Sequence, residues 1–449
     1  MYQVNDINEI TSDFVKDTVE KFNASTERKK FESENAYYLG KNPPILNRKV
    51  PDDSGPDNRI PVSYARRIVN LVVGYMYRPG LINYSSEDEG YLDKLREVFD
   101  DNEEPLKSEQ VGKQVTTHGV GYEFHYVKGQ MDSNSQVKAA PRFIKLPVTE
   151  VIPIYDFAIE PELLAFIRYY AVDETEEGKA DEETLAVFVF DSARWVEYRK
   201  TKKGLILVRE GRHFYGQVPL VVFRNNEELL GDFDAAQPLI DAYDVLMSDS
   251  MNEFDRFAWA YLILKGMSLS QADADNLKRV RMFESLSAEA GVEFLTKEID
   301  TTFIEFMADW IRDEIHRQSG IPNLEDYESS SASGKTMSRF IYLMELFTDP
   351  KESYFTEGLM QRIELVTAIL GKTGTQGEAK EVNIIMNRNM PDASLEQAEI
   401  FNKYTGFVSQ RTLMDNFADF VDDVDAEMEQ LAEETPVFDV EDVPDVEDE

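Results

Sequence analysis

Apolar positions recur at helical spacing near the N-terminus, change to short β-branched and aromatic runs between residues 119 and 223, and return to helical spacing for most of the remainder. Ile7, Ile10, Phe14, Thr18 and Phe22 fall about one turn apart, with Asp6, Glu9, Asp13 and Asp17 at other positions, which predicts one amphipathic helix over the first thirty residues. Clusters of proline, glycine, asparagine and aspartate at 41–44 and 51–56 predict loop. Tyr64, Ile68, Val72 and Tyr75 mark the next helix, which Arg78-Pro79-Gly80 closes, and 91–99 reads as a third. The runs 121–127, 142–146, 150–154, 166–172, 185–191, 195–199 and 205–209 predict a mixed sheet with polar hairpins.

Beyond the sheet, 238–261 places Leu239, Tyr243, Leu246, Met247, Phe254, Phe257, Ala258 and Tyr261 on one stripe. Asp241, Asp244, Asp249, Asn252 and Asp255 lie largely elsewhere, so this helix is expected to bury one face and present an acidic one. Two short strands, 262–266 and 291–295, flank a small helical insertion carrying Lys278, Arg279 and Arg281. A second helix, 300–318, is expected to turn Phe303, Phe306, Ile311 and Ile315 inward before Gly320-Ile321-Pro322 stops it. A Ser-rich stretch then leads into the longest helical pattern, 335–370, where Pro350 predicts a bend. A strand at 382–386 and a helical segment at 394–432 follow, and 433–449, with nine acidic and no basic residues, is expected to be disordered. No internal repeat is visible, and the fold class predicted is α+β.

Composition narrows the functions available. In 449 residues, 86 Asp and Glu face 47 Lys and Arg, a formal charge of -39 that argues against a surface neutralising phosphates along its length. The apolar share of 42% is enough for a real core. There is no Cys, which removes disulfides and thiolate metal sites and fits an intracellular or virion setting. Charges interrupt every apolar run well short of bilayer length, and the start of the chain has no basic, apolar leader, so a soluble protein without a membrane partner is expected.

Candidate chemistry is thin. Gly334-Lys335-Thr336 ends like a phosphate-binding loop, but position 329, where the earlier glycine belongs, is Ser, so the segment reads as a helix start. Gly371-Lys372-Thr373 fails the same way, with Val at 366. His118, His125, His213 and His316 are scattered without the i, i+4 spacing of a zinc site. Carboxylate pairs such as Asp156 and Glu160 stand no higher than the acidic background, and no Gly-x-Ser-x-Gly elbow is present. Neither a catalytic residue nor a metal or other cofactor is therefore expected. A nucleotide-driven protein using Gly334-Lys335-Thr336, or an acidic monomeric adaptor or DNA mimic, are the alternatives to an assembly protein.

Several segments resemble the portal proteins, or head-to-tail connectors, of long-tailed double-stranded DNA bacteriophages, in particular those of Gram-positive hosts. The resemblance is carried by 213–227, with Gly216-Gln217-Val218-Pro219 and Asn225-Asn226, followed by Leu239-Ile240-Asp241-Ala242-Tyr243. Tyr38-Leu39-Gly40-Lys41, 68–76, Ser319-Gly320-Ile321-Pro322-Asn323-Leu324, Val408-Ser409-Gln410-Arg411-Thr412 and 424–434 extend it over about 37–434. It implies a ring of about a dozen copies at one capsid vertex, through which the genome is packaged, retained and ejected. Each copy then has a wing (1–237), a stem helix (238–261), a clip (262–299), a second stem helix (300–320) and a tunnel loop (321–334). A long kinked helix returning to the wing (335–393), a crown (394–432) and the acidic tail (433–449) complete it.

The resemblance further implies a place for individual residues: Glu325, Asp326, Tyr327, Glu328 and Ser330 belong to the tunnel loop. A duplex that has to slide past fixed side chains cannot be gripped by cations, so the three acids are expected to keep the loop from adhering to DNA, and Lys335 and Arg339 nearby to make only transient phosphate contacts. Lys278, Arg279, Arg281 and Glu284 belong to the clip that docks the terminase and then head-tail adaptors. Leu239, Tyr243, Met247, Phe254 and Phe257 pack the stem. Major capsid and scaffolding proteins are further implied partners, the virion the implied location, and the bacterial cytoplasm the place of assembly.

Overall fold

The computed structural model describes residues 2–49, 55–131, 137–172, 184–201, 204–257, 261–265, 291–295, 301–323, 334–375 and 377–389, and the single positions 408, 409, 411 and 428. The chain divides into a main unit, Met1–Ala332 with Thr336–Asn389, and a second unit, Ser333–Lys335 with Met390–Glu449. Of the second, only the start of a helix and the four single positions are described, so the helical segment expected at 394–432, those four positions apart, and the acidic tail lie outside the described residues.

The N-terminus differs from the single helix its spacing predicts. A short strand β1 (Tyr2–Gln3) and a 3-10 turn (Ile7–Glu9) precede two helices, α1 (Ser12–Ala24) and α2 (Thr26–Tyr38). Ser25 makes the break: in extended conformation, its hydroxyl donates to the Phe22 carbonyl at 2.6 Å and accepts from the Arg28 amide at 3.1 Å, ending one helix and starting the next. Ile7 and Ile10 still pack on the core, but from outside either helix.

A four-residue helix α3 (Pro43–Leu46) stands in the expected loop region, and α4 (Tyr64–Met76) follows the predicted pattern with Ile68, Val69 and Val72 fully buried. A strand β2 (Ile82–Ser85) leads to α5 (Glu89–Asn102), capped by Asp88. Next comes α6 (Glu104–His118), absent from the pattern reading. Its buried residues include only Val111 and Val115 as large apolar ones, beside Glu104, Ser108, Gly112, Gln114, Thr116, Thr117 and His118, so a hydrophobic period hardly registers.

All seven predicted β runs are strands: β3 (Val120–Met131), β4 (Val137–Leu146), β5 (Val151–Tyr155), β6 (Leu163–Val172), β7 (Thr184–Phe190), β8 (Arg194–Thr201) and β9 (Gly204–Arg212). β10 (Leu220–Arg224) joins β3 and β4 in a three-stranded antiparallel sheet, order β10-β3-β4. The larger sheet runs β1-β5-β6-β7-β8-β9, antiparallel except for the short parallel pairing of β1 on β5. α1 and α2 contribute Val15, Val19, Phe22 and Phe31 to the core shared with Ile152, Ile154, Phe166 and Ile167 of that sheet.

The remaining elements are α7 (Gln237–Phe257), β11 (Tyr261–Lys265), β12 (Gly291–Leu295), α8 (Thr301–Ser319), α9 (Gly334–Lys372) and β13 (Asn383–Met386). Tyr261 therefore stands in a strand, paired with Leu295 of β12, and not at the end of the preceding helix. α9 is assigned as helix through Pro350, whose missing amide leaves the Leu346 carbonyl without its usual partner. β13 pairs with β2 and returns the chain to the N-terminal half. The fold is α+β, with the largest core built from α4, α6, α7, α8 and α9 around Phe223, Phe233 and Phe355.

Candidate functional site

α7 and α8 pack against one another as the two arms joined by the β11–β12 pair. Beside the apolar side that packs on the core, α7 turns a polar side to its own chain. Asp244, Ser248 and Asn252, one turn apart, are buried and receive the loop before α4: the Asp244 carboxylate accepts from the Val62 amide at 2.7 Å and the Asn42 side chain at 2.6 Å. The Ser248 hydroxyl accepts from the Ile60 amide at 3.0 Å, and Asn252 Oδ1 from the Asn58 amide at 2.7 Å. Asp255 takes the Asn58 side chain at 2.7 Å, Asp241 the Tyr37 hydroxyl, and Asp249 pairs with Arg48 at 2.7 Å. Burial pushes Asp244 up to about 6, although its two donors favour the charged form.

The acids of α7 are therefore engaged within the chain, which corrects the expectation that they present a free acidic face. A segment without regular structure keeps its amides unpaired, and the carboxylate, hydroxyl and amide side chains of α7 satisfy them. Leu239 and Tyr243 pack on the main core, Tyr243 edge-on to Tyr64 with ring centres 5.3 Å apart, and Met247 is half-buried. Phe254 is 62% exposed, and Phe257 is a helical position whose side chain lies outside the described set.

α8 likewise has two apolar sides. Ile311 and Ile315 are buried, whereas Phe306 is 62% and Trp310 47% exposed, so the expectation that Phe303 and Phe306 turn inward is overturned. At about 100° per residue, Phe303, Phe306 and Trp310 share one side, with Ile311 and Ile315 roughly 120° further round. On α9, Tyr342 and Leu346 are exposed as well.

Buried ion pairs anchor α9 to the body. Arg362, fully buried, grips the Glu123 carboxylate with two bonds of 2.9 and 2.8 Å and reaches Glu104 and Ser108 at 2.7 Å. Burial alone would raise Glu123, but the guanidinium overrides it and holds the carboxyl at about 2. Burial lowers His125, whose Nε2 lies 3.1 Å from Glu123, and Tyr84 donates to Glu104 at 2.8 Å. Further along, Lys351 pairs with Asp232, and Arg388 meets Glu352 at 2.5 Å and Glu345 at 3.2 Å. None of these was singled out from the sequence; the available signal was Glu123 and His125 in alternation within an apolar strand.

Of the other candidates, Lys278, Arg279, Arg281 and Glu284, and Glu325, Asp326, Tyr327, Glu328 and Ser330, lie outside the described residues. Lys335 and Arg339 lie on the first two turns of α9, and their side chains are outside the description. The helix begins at Gly334, as the reading of Gly334-Lys335-Thr336 as a helix start requires. The histidines do not meet: His118 contacts Glu34 at 2.8 Å, His213 the Asp191 carbonyl and His316 the Ile321 carbonyl.

The sequence family described as phage portal protein, SPP1 Gp6-like, matches residues 20–436. The portal protein of Clostridium phage phiCD119 is 24% identical over 419 residues, covering 88% of this chain and 90% of the relative. That of Bacillus phage SPP1 is 23% identical over 412 residues, 86% of this chain and 78% of the relative. Among solved structures, the neck of a native gene transfer agent particle computed with C12 symmetry aligns with a TM-score of 0.44 at 13% identity, over 78% of this chain and 88% of that one. The virion of a native gene transfer agent particle gives a TM-score of 0.43 at 13% identity, with the same coverage.

Proposed function

This chain belongs to the SPP1 Gp6-like family of phage portal proteins, and from that premise we propose that identical copies close into a ring through the outer sides of α7 and α8. Its function is that of a portal protein, the channel at a capsid vertex. The observation that carries the ring is the exposure of Phe254, Phe306 and Trp310 on helices whose other sides are already satisfied within one copy. Large aromatic side chains left in water on two helices that pack together suit a protein contact, and a head-to-tail contact between identical copies closes when its rotation divides the circle. About a dozen copies is the number that the family resemblance implies.

In this reading α7 and α8 are the stem, 262–299 the clip, 321–334 the tunnel loop and 394–432 the crown. The wing comprises the N-terminal helices and both large sheets. Lys278, Arg279, Arg281 and Glu284 of the clip meet the terminase first and head-tail adaptors later, and capsid and scaffolding proteins surround the ring during assembly in the host. The chain is a structural subunit, and the energy for translocation is assigned to the terminase.

Duplex DNA moving through such a ring has to pass fixed side chains many times, and cationic walls would release counterions and hold it. A chain of charge -39 repels phosphate instead, leaving Lys335 and Arg339 as brief contacts. Negative-stain imaging and sedimentation of the purified chain test the ring directly: annular particles with a central hole are expected, and a single-copy particle under all assembly conditions overturns it. The charge argument has its own check. Lysine at 325, 326 and 328 is expected to slow packaging at least tenfold and shorten the retained genome, and unchanged packaging would sink it.

A further inference from the structure

We propose that the cavity between the two large sheets is a binding site for an organic cation, an ammonium or guanidinium group carried on a hydrocarbon stem. β3 and β10 of the smaller sheet and β1 and β5 of the larger one line it, and it holds about 540 Å³, within the range of roughly 300–1,000 Å³ that ligand sites occupy. Val120, Val151 and Ile152 supply buried apolar surface. Tyr2, Tyr122 and Tyr155 line the cavity as well, and none of their hydroxyls has a hydrogen-bond partner among the described residues. Tyr122 is the informative one: it is only 4% exposed, and a polar group that deep in a protein is nearly always bonded. It shares a side of β3 with Val120, the side that faces the cavity. Burial raises all three phenols, which keeps them neutral, and Glu27 acts on both Tyr2 and Tyr122, so its carboxylate stands near two of the open hydroxyls.

Charge selects the ligand. Glu27, Glu162 and Glu227 line the cavity at its exposed rim and have no ion pair among the described residues. Arg224, the one cation in the lining among those residues, is already engaged: it bonds Glu357 at 2.6 Å, and its charge stands 5.3 Å from the centre of the Tyr354 ring. An anion entering here meets three uncompensated carboxylates, and a wholly apolar ligand leaves the hydroxyls unbonded. A cation on a hydrocarbon stem satisfies every part. The stem covers Val120, Val151 and Ile152, while the head donates to tyrosine hydroxyls and rim carboxylates. The rings of Tyr2 and Phe22, edge to face with centres 6.5 Å apart, add cation–π attraction.

Such a group comes from an arginine or lysine side chain of a partner protein or from a free polyamine. Titration calorimetry of the full-length chain at about 150 mM salt, where loose charge attraction is screened, separates the two. The probes are a blocked pentapeptide with a central arginine between valines, its citrulline counterpart, and spermidine. Saturable binding at one site per chain is expected, and the tighter cation identifies the source. Citrulline, similar in shape but uncharged, should bind at least tenfold more weakly than the arginine peptide. Tyr122→Phe, which removes one hydroxyl, and Glu27→Gln, at the exposed rim, are each expected to weaken the tighter cation by about tenfold, the scale of one hydrogen bond to a charged group. Glu87→Gln, an exposed acid outside the cavity, should change nothing. Circular dichroism checks the fold of each variant, and Glu27→Gln carries the test should Tyr122→Phe fail to fold. Saturable binding of neither cation, a citrulline peptide as tight as either of them, or equal affinities of the Glu27→Gln and Glu87→Gln variants overturns the site. None of these readouts depends on ring closure.

Discussion

Substitution of Arg362 by methionine is expected to destabilise the main unit by about 3–5 kcal/mol, read as a lower midpoint in urea, because it leaves two carboxylates buried without their cation. Glu123 and Glu104 come from β3 and α6, and both approach one guanidinium on α9 at 2.7–2.8 Å. Arg362→Lys is not expected to rescue it, since an ammonium cannot supply the parallel pair of bonds to Glu123. Replacing Arg362 and both acids together with apolar residues of similar volume should recover much of the loss, because no uncompensated charge then remains. The same network sets an acid limit. The Glu123 carboxyl is held at about 2, below its ordinary 4.5, so its stabilising contribution is complete above that ordinary value and disappears as pH falls from there through about 2. An urea midpoint that stays unchanged for Arg362→Met would show that α9 does not depend on this anchor.

The parts of this fold that were legible in the sequence are those where a periodic pattern coincides with a burial pattern. β5, β6 and β7 alternate or run apolar and were found as strands; α4 carries a full apolar stripe and was found as a helix. α6 escaped because polar side chains such as Gln114 do the packing, its amide bonding the Leu146 carbonyl at 2.8 Å. α1 and α2 merged in the sequence reading because Ser25 breaks them by local hydrogen bonding without disturbing the spacing on either side.

The candidate site was read less well, for a single physical reason. Hydrophobic periodicity assumes that buried means apolar and apolar means buried, and α7 and α8 each depart from this. Asp244 is buried by amides from Asn42 and Val62, about 200 residues away in sequence, and the Arg362 network spans comparable separations. Phe306 was placed inside because the sequence shows that it is apolar but not which molecule covers it. Where a helix has two apolar sides, one packs on its own chain and the other is left over.

Glutamate at both Phe306 and Trp310 is therefore expected to abolish ring formation while leaving the subunit folded. Both side chains are exposed in one copy, so the cost to the monomer should stay within about 0.5 kcal/mol, the range of ordinary surface substitutions. In a closed ring each aromatic side chain buried against the neighbour contributes on the order of 2 kcal/mol, and burying an unpaired carboxylate there adds a further penalty. Two such changes at each contact weaken association by at least 100-fold, and since every copy takes part in two contacts, the loss compounds around the circle. Ile315→Glu on the opposite side of α8 provides the contrast: Ile315 is fully buried, so that variant should lose the fold itself. Sedimentation and circular dichroism on the three proteins distinguish the cases. Intact rings from the Phe306/Trp310 variant would remove this side of α8 from the interface, and an unfolded chain would mean that the two aromatics serve the subunit and not its neighbour.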